Sequence, residues 1–417
     1  MVTAAVGGPS LALGRLVVCV FLPFAAGYFL SFALRSVNAV IYPYLVQDMS
    51  LPAAILGILT ATFFLSFAAV QLPLGLLLDR WGPRRVQAAL FGVGALGCAI
   101  FALSESSGGL VVGRALIGIG MAGGLMASLK ALVLWFPERW LALVNGCFLA
   151  VGGLGALAAT APLAWGLGFF GWRSLFWGLT LAVLAVAVWI WLVVPDRETG
   201  GGRRSLVAEL TGLGSVLRDG FFWRVAPLSI AGMGGTLCLQ TLWAGPWLAD
   251  VAGLGEAAAA DRLLAMTAAM TVGFVAIGWL ADWLRSRGLS SIAVMGGCGL
   301  MQAVALAALT FHLDPQGLAA WLLLGFFGNG ASLVYPLLSR HFGAERAGRA
   351  TTANTLLVFS GTFALQAGMG WVISLWPRLP SGGYASAAYD VSVGSLLALL
   401  CVSLIVLALP FGRSSRA

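Results

Sequence analysis

Three polar residues on one face of an apolar run are the first candidates for chemistry in this sequence. Arg35 lies within the run that starts near Leu16, Asn38 follows three residues later and Tyr42 seven residues later, so the three share a helical face. A guanidinium cannot shed its proton in an apolar setting, and a charge at mid-bilayer costs about 2.5–3.5 kcal/mol on insertion scales. We predict that Arg35 faces a cavity and binds an anion. The alternative is a structural arginine bonded to carbonyl groups at a helix break.

A second buried cation supports an anionic ligand. Lys130, the only lysine in the chain, lies in another apolar run, roughly 10 Å from its middle at 1.5 Å per residue. It is a candidate for substrate binding, although at this depth its ammonium group can also extend to the nearer interface. None of the apolar runs has an aspartate or glutamate at mid-depth. Two buried cations without a buried acid favour a small carboxylate as the ligand, and they argue against a proton relay through such an acid.

The second half of the chain adds weaker candidates. Polar or aromatic residues near mid-depth, or within a turn or two of it, are Gln240, Trp243, Asn329, Tyr335 and Gln366. Polar residues are common where membrane helices pack together, so each one alone is a weak signal. We expect Gln240 and Asn329 to approach Arg35 from this half. The segment "QTLWAGPW" (240–247) also places glycine and proline where a gating bend or an ordinary kink would lie.

The elements that must position these residues are membrane helices. Of the 417 residues, 60% are hydrophobic and 9% are charged, against about 25% charged in soluble proteins. The first run has no cleavage site of the expected kind, so it is taken as a span rather than a signal peptide. The six cysteines have neither pairing nor metal spacing, so we expect no disulfide, metal or cofactor. Runs long enough to cross a bilayer are 17–46, 51–74, 86–104, 109–135, 141–166, 172–194, 222–248, 262–281, 290–312, 317–339, 350–376 and 394–411.

The distribution of basic residues predicts the orientation of these twelve spans. Of the 23 basic residues, three lie within spans. Three more, Arg173, Arg262 and Arg378, lie on one face of the membrane, and the other 17 lie on the second face. We call the second face the arginine-rich face and the first the opposite face. Because cytoplasmic loops carry the excess of Lys and Arg, we expect both termini to be cytoplasmic. The same distribution over separate loops gives little support to nucleic-acid binding.

The chain divides into two halves that repeat each other. The longest hydrophilic stretch starts at 195, so we predict six spans in 1–194, a cytoplasmic linker at 195–221 and six spans in 222–417. Gly75 and Gly278 are 203 residues apart, each followed at the same spacing by Asp79 or Asp282. Glu138 and Glu345, in two other loops, are 207 apart. Two unrelated patterns with nearly one offset indicate an internal duplication.

At these motifs the sequence resembles the major facilitator superfamily of secondary transporters. "GLLLDRWGPRRV" (75–86) is similar to that superfamily's loop between spans two and three, and "GRALIGIG" (113–120) is similar to the signature that opens span four. The resemblance implies an all-α membrane protein with two six-helix bundles around a central cavity and alternating access. It also implies that spans one and four line the cavity, and that Arg114 has a structural or coupling role. A monomer in a bacterial inner membrane is expected.

The loop between spans two and three predicts a gate at the arginine-rich face. Gly75 would permit close helix approach, and the basic residues around Asp79 can pair with it or with anionic lipid. The alternative is that these charges only set the topology. We favour a charge latch, because the second half repeats the Gly and Asp spacing. The predicted gating residues are Gly75, Asp79, Arg80, Gly82, Arg84, Arg85, Arg114, Gly278 and Asp282.

These observations favour a transporter of small organic anions, with the coupling ion and direction open. The nitrate/nitrite branch of the resembled superfamily uses arginines in spans two and eight. Here "TATFFLSFAAVQLP" and "MTAAMTVGFVAIGW" contain none. A proton-driven drug exporter is a further alternative, since "GGLGALAATAP" (152–162) is glycine-rich, although it lacks the Gly-Pro pair of exporters. A uniporter differs only in coupling. A membrane enzyme or receptor has little support, because no nucleophile–base pair, metal cluster or nucleotide loop is evident.

Overall fold

The computed structural model describes residues 13–196, 213–380 and 382–409 and is built from helices. Among these residues, eleven helices are long and apolar enough to cross a membrane. In chain order they are Gly14–Ser36 (α1), Ala53–Leu103 (α2 and α3), Ser107–Trp135 (α4), Arg139–Ala158 (α5), Ala161–Val193 (α6), Gly220–Asp250 (α7), Glu256–Ser286 (α8), Ser291–Thr310 (α9), Leu318–Gly343 (α10), Arg346–Ile373 (α11) and Ser386–Ala408 (α12).

The longest helix contains two spans, which brings the number to the twelve that were predicted. Ala53–Leu103 is interrupted at Gly82, where φ is 75° and ψ is 164°. A side chain would strain this left-handed backbone, so glycine permits the reversal between α2 and α3. Gly171, with φ of 69°, interrupts α6 in the same way, so residues 161–170 continue the fifth predicted span and residues 172–193 form the sixth. The all-helical membrane fold expected from the sequence is therefore confirmed.

The first span and α7 are among the spans that depart from regular α-helix. The hydrogen-bond pattern of α1 is interrupted at Val37, and the chain then continues as the helix Asn38–Met49. In α7, π-helical turns cover Ile230–Gly234 and Leu239–Trp243, and such turns are frequent at functional sites. The predicted irregularity near one end of α7 thus lies one turn before its Gly-Pro pair, in the π-helical turn itself.

The structure describes the predicted linker at 195–221 only in part. Residues 197–212 of the predicted linker lie outside the described residues, and a short helical segment follows at 213–217. On the arginine-rich side the first half ends with an ion pair of 2.6 Å between Arg85 and Asp196. The domain boundaries at 194 and 221 stay a prediction.

The two halves are held together at the opposite face. Glycines allow α2 and α11 to touch there, because a Cβ on Gly57 would lie 3.2 Å from the Cα of Gly370. The hydroxyl of Tyr44, at the end of the first span, donates to Glu256 at the start of α8 across 2.5 Å. In this conformation the opposite face is therefore closed between the halves.

Candidate functional site: a guanidinium in an aromatic cage

Arg35 lies between the two halves with aromatic rings around it. Its guanidinium carbon is 4.6 Å from the ring centre of Phe32 in α1 and 5.3 Å from that of Phe67 in α2. The third ring, Phe359, comes from α11 in the second half, at 5.6 Å. Phe359 also packs on Phe64 and Phe67, with ring centres 6.1 and 4.6 Å apart. The cationic site therefore combines residues of both halves.

The rings stabilise the cation without neutralising it. A cation over an aromatic face gains about 0.5–2 kcal/mol, which offsets part of the cost of burying the charge. Among the described residues, no carboxylate or carbonyl hydrogen-bonds to the Arg35 guanidinium, and its Nε is buried without a partner. Five N–H donors are thus held at the junction of the halves with their charge unpaired.

Arg114 has the structural role that was considered for Arg35. It is fully buried in α4, and its Nη1 donates to the carbonyl oxygen of Leu34 across 2.9 Å. Leu34 lies one turn before the interruption of α1 at Val37, where helical hydrogen bonding is incomplete. Backbone groups inside a membrane need such partners, so Arg114 stabilises the bend in α1 that presents Arg35.

Two predicted residues, Asn38 and Gln366, are buried between Arg35 and the opposite face. Asn38 donates to the hydroxyl of Thr60 in α2 at 2.7 Å, while its own carbonyl oxygen has no partner among the described residues. Gln366 in α11 is fully buried with both amide atoms unpaired, and its backbone carbonyl accepts from the Trp243 indole at 3.3 Å. Trp243 also packs near Gly57 of α2. These amide atoms are buried in this conformation and have no partner among the described residues.

Two of the second-half candidates bond within their own half. Gln240 donates to the Thr267 hydroxyl at 3.3 Å, and Asn329 donates to the carbonyl oxygen of Met270 at 2.9 Å. Both partners belong to α8. In this conformation they connect α7 and α10 to α8, and the expected approach of Gln240 and Asn329 to Arg35 stays a prediction.

The remaining two aromatic candidates lie at other places. The hydroxyl of Tyr335 is 3.4 Å from that of Thr355 in α11. Tyr42 lines a cavity of about 170 Å³ near the opposite face, between the first span and α7 and α8. It is therefore separate from the cage, and the helical face shared by Arg35, Asn38 and Tyr42 extends past the site to this face.

Lys130 contacts the end of α2 next to the α2–α3 loop. Its ammonium group is 2.6 Å from the carboxylate of Asp79 and 2.9 Å from the carbonyl oxygen of Leu78. The physical reason is reach, because a lysine this far from mid-depth extends toward the interface and meets the acid at the end of α2. The structure thus corrects the expected surroundings of Lys130, since the pair joins α4 to α2 where a gate was predicted.

The arginines of the α2–α3 loop hold other groups. Arg84 donates through Nε to the carbonyl oxygen of Trp191 at 2.9 Å, near the end of α6, where a helix dipole favours a cation. Arg85 pairs with Asp196, and Arg80 stacks on its neighbour Trp81 at 5.4 Å. These contacts fix the loop to α6, so the expected pairing of the arginines with Asp79 is not the arrangement observed.

The repeated glycines have free space beside them in this conformation, and the repeated aspartates have different partners. A Cβ on Gly75 or Gly278 would meet nothing within 4 Å among the described residues, so neither glycine mediates a close helix approach here. In the second half, Asp282 pairs with Arg285 of the same helix at 2.8 Å. The two loops therefore share a spacing but differ in their partners.

The family of the chain follows from comparison with known proteins. Residues 24–366 match the model of the Major Facilitator Superfamily. The chain belongs to this superfamily. In members of this superfamily the two halves change their relative position. The bend in the first span, the α2–α3 loop and Arg35 lie in the parts of the fold that take part in this change.

Two curated relatives carry the names of anion transporters. The chain is 24% identical to the hexuronate transporter of Escherichia coli (strain K12) over 217 residues, 48% of this chain and 50% of that protein. It is 30% identical to the nitrate/nitrite transporter NrtP of a Picosynechococcus species over 112 residues, 27% of this chain and 21% of that protein. The chain thus matches half or less of the length of these relatives.

Among solved structures, the nucleoside transporter NupG has the same fold. It superimposes with a TM-score of 0.74 over 93% of this chain and 99% of that chain, at 13% sequence identity. At this identity the likeness concerns the fold alone. It agrees with a superfamily arrangement of twelve helices.

The sequence did not single out the cage of this superfamily member. Phe32, Phe67 and Phe359 are apolar residues in apolar runs, and aromatic residues are frequent in such runs. Thr60, the partner of Asn38, is one of three hydroxyl residues in α2, with Thr62 and Ser66, and nothing in the sequence distinguishes it. A usable signal was the three-residue spacing between Phe32 and Arg35, which places a ring one turn away from a buried cation.

Proposed function

We propose that this superfamily member is a secondary transporter that moves a small organic anion, a carboxylate, across a bacterial inner membrane by alternating access. Both termini and the arginine-rich face would be cytoplasmic, as the positive-inside rule indicates. The conformation described is then one in which the outer face is closed. The proposed substrate-binding residue is Arg35, with the amides of Asn38 and Gln366 close to its cage.

The observation that carries this proposal is the unpaired charge of Arg35 between the halves. Aromatic rings lie against the guanidinium, and its N–H donors lie in the guanidinium plane. A carboxylate approaching in that plane can accept two parallel hydrogen bonds. An anion held in this way touches a residue of the first half while the ring of Phe359 contacts the same guanidinium from the second half. Its binding would therefore bias the relative position of the halves.

Nitrate is the second candidate, because one relative bears that name. It is disfavoured by the absence of arginine from the central stretches of α2 and α8, at 60–73 and 266–279. A single guanidinium with amide groups nearby suits a ligand with one carboxylate and several hydroxyl groups. The hexuronate named for the other relative is a ligand of that kind, and it is the first probe to use.

The test is binding to the purified full-length protein. We expect a hexuronate to raise the melting temperature of wild type, as a ligand of the folded state must. Hydrogen bonds to charged groups contribute roughly 1.5–3 kcal/mol, so Arg35→Ala should weaken binding by about 10- to 150-fold. Arg35→Lys should recover only part of the loss, because an ammonium lacks the planar fork.

A matched control separates this effect from a general loss of charge. Arg173 is exposed at the opposite face and pairs with Asp48, so Arg173→Gln should bind the hexuronate like wild type. Nitrate and a cationic dye are tested on the same samples. A monodisperse Arg35→Ala protein that binds the hexuronate as tightly as wild type would contradict the proposed site. Stabilisation by the cationic dye alone would contradict an anionic substrate.

A further inference from the structure

The loop between α11 and α12 contains a small hairpin that packs on the end of α7. Arg378 and Tyr384 pair as an isolated antiparallel bridge, and the amide of Leu379 donates to the carbonyl oxygen of Gly383 at 2.9 Å. Oδ2 of Asp250, the last residue of α7, accepts from the backbone amide of Tyr384 at 3.0 Å. The hairpin is therefore fixed to the second half of the chain.

The turn that faces this hairpin belongs to the first half and lies between the first and second spans. The first span ends at Met49, and Ser50 follows with φ of 51°. Pro52 stands at the N-cap position of α2, where it has no side-chain acceptor for the amides of the first turn. Leu51 and Ala53 are buried. Because helix ends leave backbone groups open and buried groups of this kind need partners, the turn depends on partners from elsewhere.

The hairpin supplies these partners from the other half. The Arg378 guanidinium donates to the carbonyl oxygen of Ser50 at 3.2 Å and to that of Leu51. The Tyr384 hydroxyl accepts from the amide of Ala53, the first residue of α2, at 3.1 Å. Nε of Arg378 also donates to this hydroxyl at 3.3 Å, so the two side chains form one network. We call Arg378 and Tyr384 the clasp.

The clasp continues the contact between α2 and α11. A Cβ on Gly370 of α11 would lie 2.6 Å from the carbonyl oxygen of Ala53, so the first turn of α2 packs on α11 a few residues before the hairpin begins. Packing of this kind has no preferred direction, whereas a hydrogen bond is lost beyond about 3.5 Å. A separation of the halves by about 1 Å at this turn therefore breaks the bonds of the clasp.

We propose that the clasp holds the opposite face closed by capping two helix ends of the first half from the second half. In the closed state the backbone groups of the turn are buried and depend on these caps. When the halves separate here, the caps are lost and the same groups gain water. Removing a cap should therefore destabilise the closed state alone. This proposal does not depend on which anion is carried or in which direction.

The test measures the conformation rather than transport. Spin labels are placed on cysteines introduced at Gln47 and Leu313, which are exposed near the ends of different halves at this face. The partly or fully exposed Cys19, Cys147 and Cys401 are first changed to serine. Distance distributions of the full-length protein in lipid, recorded without ligand, then give the ratio of open to closed protein for each variant.

We expect Tyr384→Phe to raise the ratio of open to closed protein by about 5- to 150-fold. The buried amide of Ala53 loses its acceptor in the closed state, and an unsatisfied buried group costs about 1–3 kcal/mol. Phenylalanine keeps the ring and its packing. Arg378→Gln should shift the ratio in the same direction, because the carbonyl oxygen of Leu51 loses its donor. Arg378→Lys should shift it less, since an ammonium group still donates hydrogen bonds.

Two controls remove the same chemical groups from contacts inside the second half. The Tyr335 hydroxyl is 3.4 Å from that of Thr355, and Nε of Arg224 donates to the carbonyl oxygen of Leu407 at 2.9 Å. Tyr335→Phe and Arg224→Gln should keep the wild-type ratio. A wild-type ratio in Tyr384→Phe would refute the proposed cap on α2, and one in Arg378→Gln would refute the cap on the first span. Shifts of equal size in the controls would refute a specific role of the clasp.

Discussion

Replacing Gly57 by alanine should force the opposite face open. Gly57 lies where α2 meets α11, and a Cβ there would be 2.8 Å from the carbonyl oxygen of Gln366 and 3.2 Å from the Cα of Gly370. Both are backbone atoms, so no side-chain rotation can relieve the overlap. The two helices must separate, and with them the two halves of the protein.

The size of the effect follows from the overlap. A new carbon at 2.8 Å is about 0.7 Å inside the optimal separation of roughly 3.5 Å, and an extra methyl in a well-packed contact costs about 1–3 kcal/mol. Because the cost applies only to the closed state, the ratio of open to closed protein should rise about 5- to 150-fold. The gain in helix propensity from Gly to Ala is the same in both states and cancels.

The distance between spin labels on cysteines introduced at Gln47 and Leu313 measures this ratio directly, because both positions are exposed near the outer ends of different halves. The matched control is Gly368→Ala on α11, where a Cβ would meet nothing within 4 Å. It should leave the distance distribution unchanged. An unchanged distribution for Gly57→Ala would show that the contact between α2 and α11 does not hold the face closed. Equal shifts for both variants would show that the effect comes from helix propensity.

Two further predictions concern the arginine-rich face. Asp79→Asn removes the charge of the pair with Lys130 and should slow uptake without weakening anion binding, so uptake and binding are measured side by side; unchanged uptake would contradict a latch. Burial raises the pKa of Asp219, the residue before α7, but hydrogen bonds from His341 and the Phe222 amide outweigh it and hold this pKa below its usual value. The ionised form therefore adds stability that is lost as the pH falls through the depressed pKa, below about pH 4. The melting temperature of wild type should fall more steeply there than that of Asp219→Asn, and parallel curves would contradict this.

The architecture was predictable from the sequence because each of its signals is local. Twelve apolar runs fix the number of spans, and the structure places the hidden reversal at Gly82, inside the quoted loop motif. Helix ends were predicted less well. The run 141–166 is interrupted at 159–160, because small residues such as those of "GALAATAP" mark neither a charge nor a clear stop.

The candidate site was predictable only where a residue type is costly in a membrane. Arg35 and Arg114 stand out by charge, but their sequence contexts do not say which one has a hydrogen-bond partner. The residue type of Phe359 does not reveal its role. That role depends on α11 lying against α2, a contact between residues almost 300 positions apart. For Lys130 the sequence left two alternatives open, because depth alone does not show which way a long side chain extends, and the structure shows it paired with Asp79.

The contrast between Arg35 and Arg114 is the strongest physical reason to place the substrate at Arg35. Both guanidiniums lie beside phenylalanine rings, and each has a buried Nε atom without a partner among the described residues. Arg114 satisfies a carbonyl that the bend in α1 leaves open, and the fold itself explains its presence. Arg35 satisfies no group of the described fold, although a membrane protein would be easier to insert without its charge. A cost that stability does not explain is expected at a functional site. The position of Arg35 between the halves is why we propose it as the residue that binds the ligand around which they move.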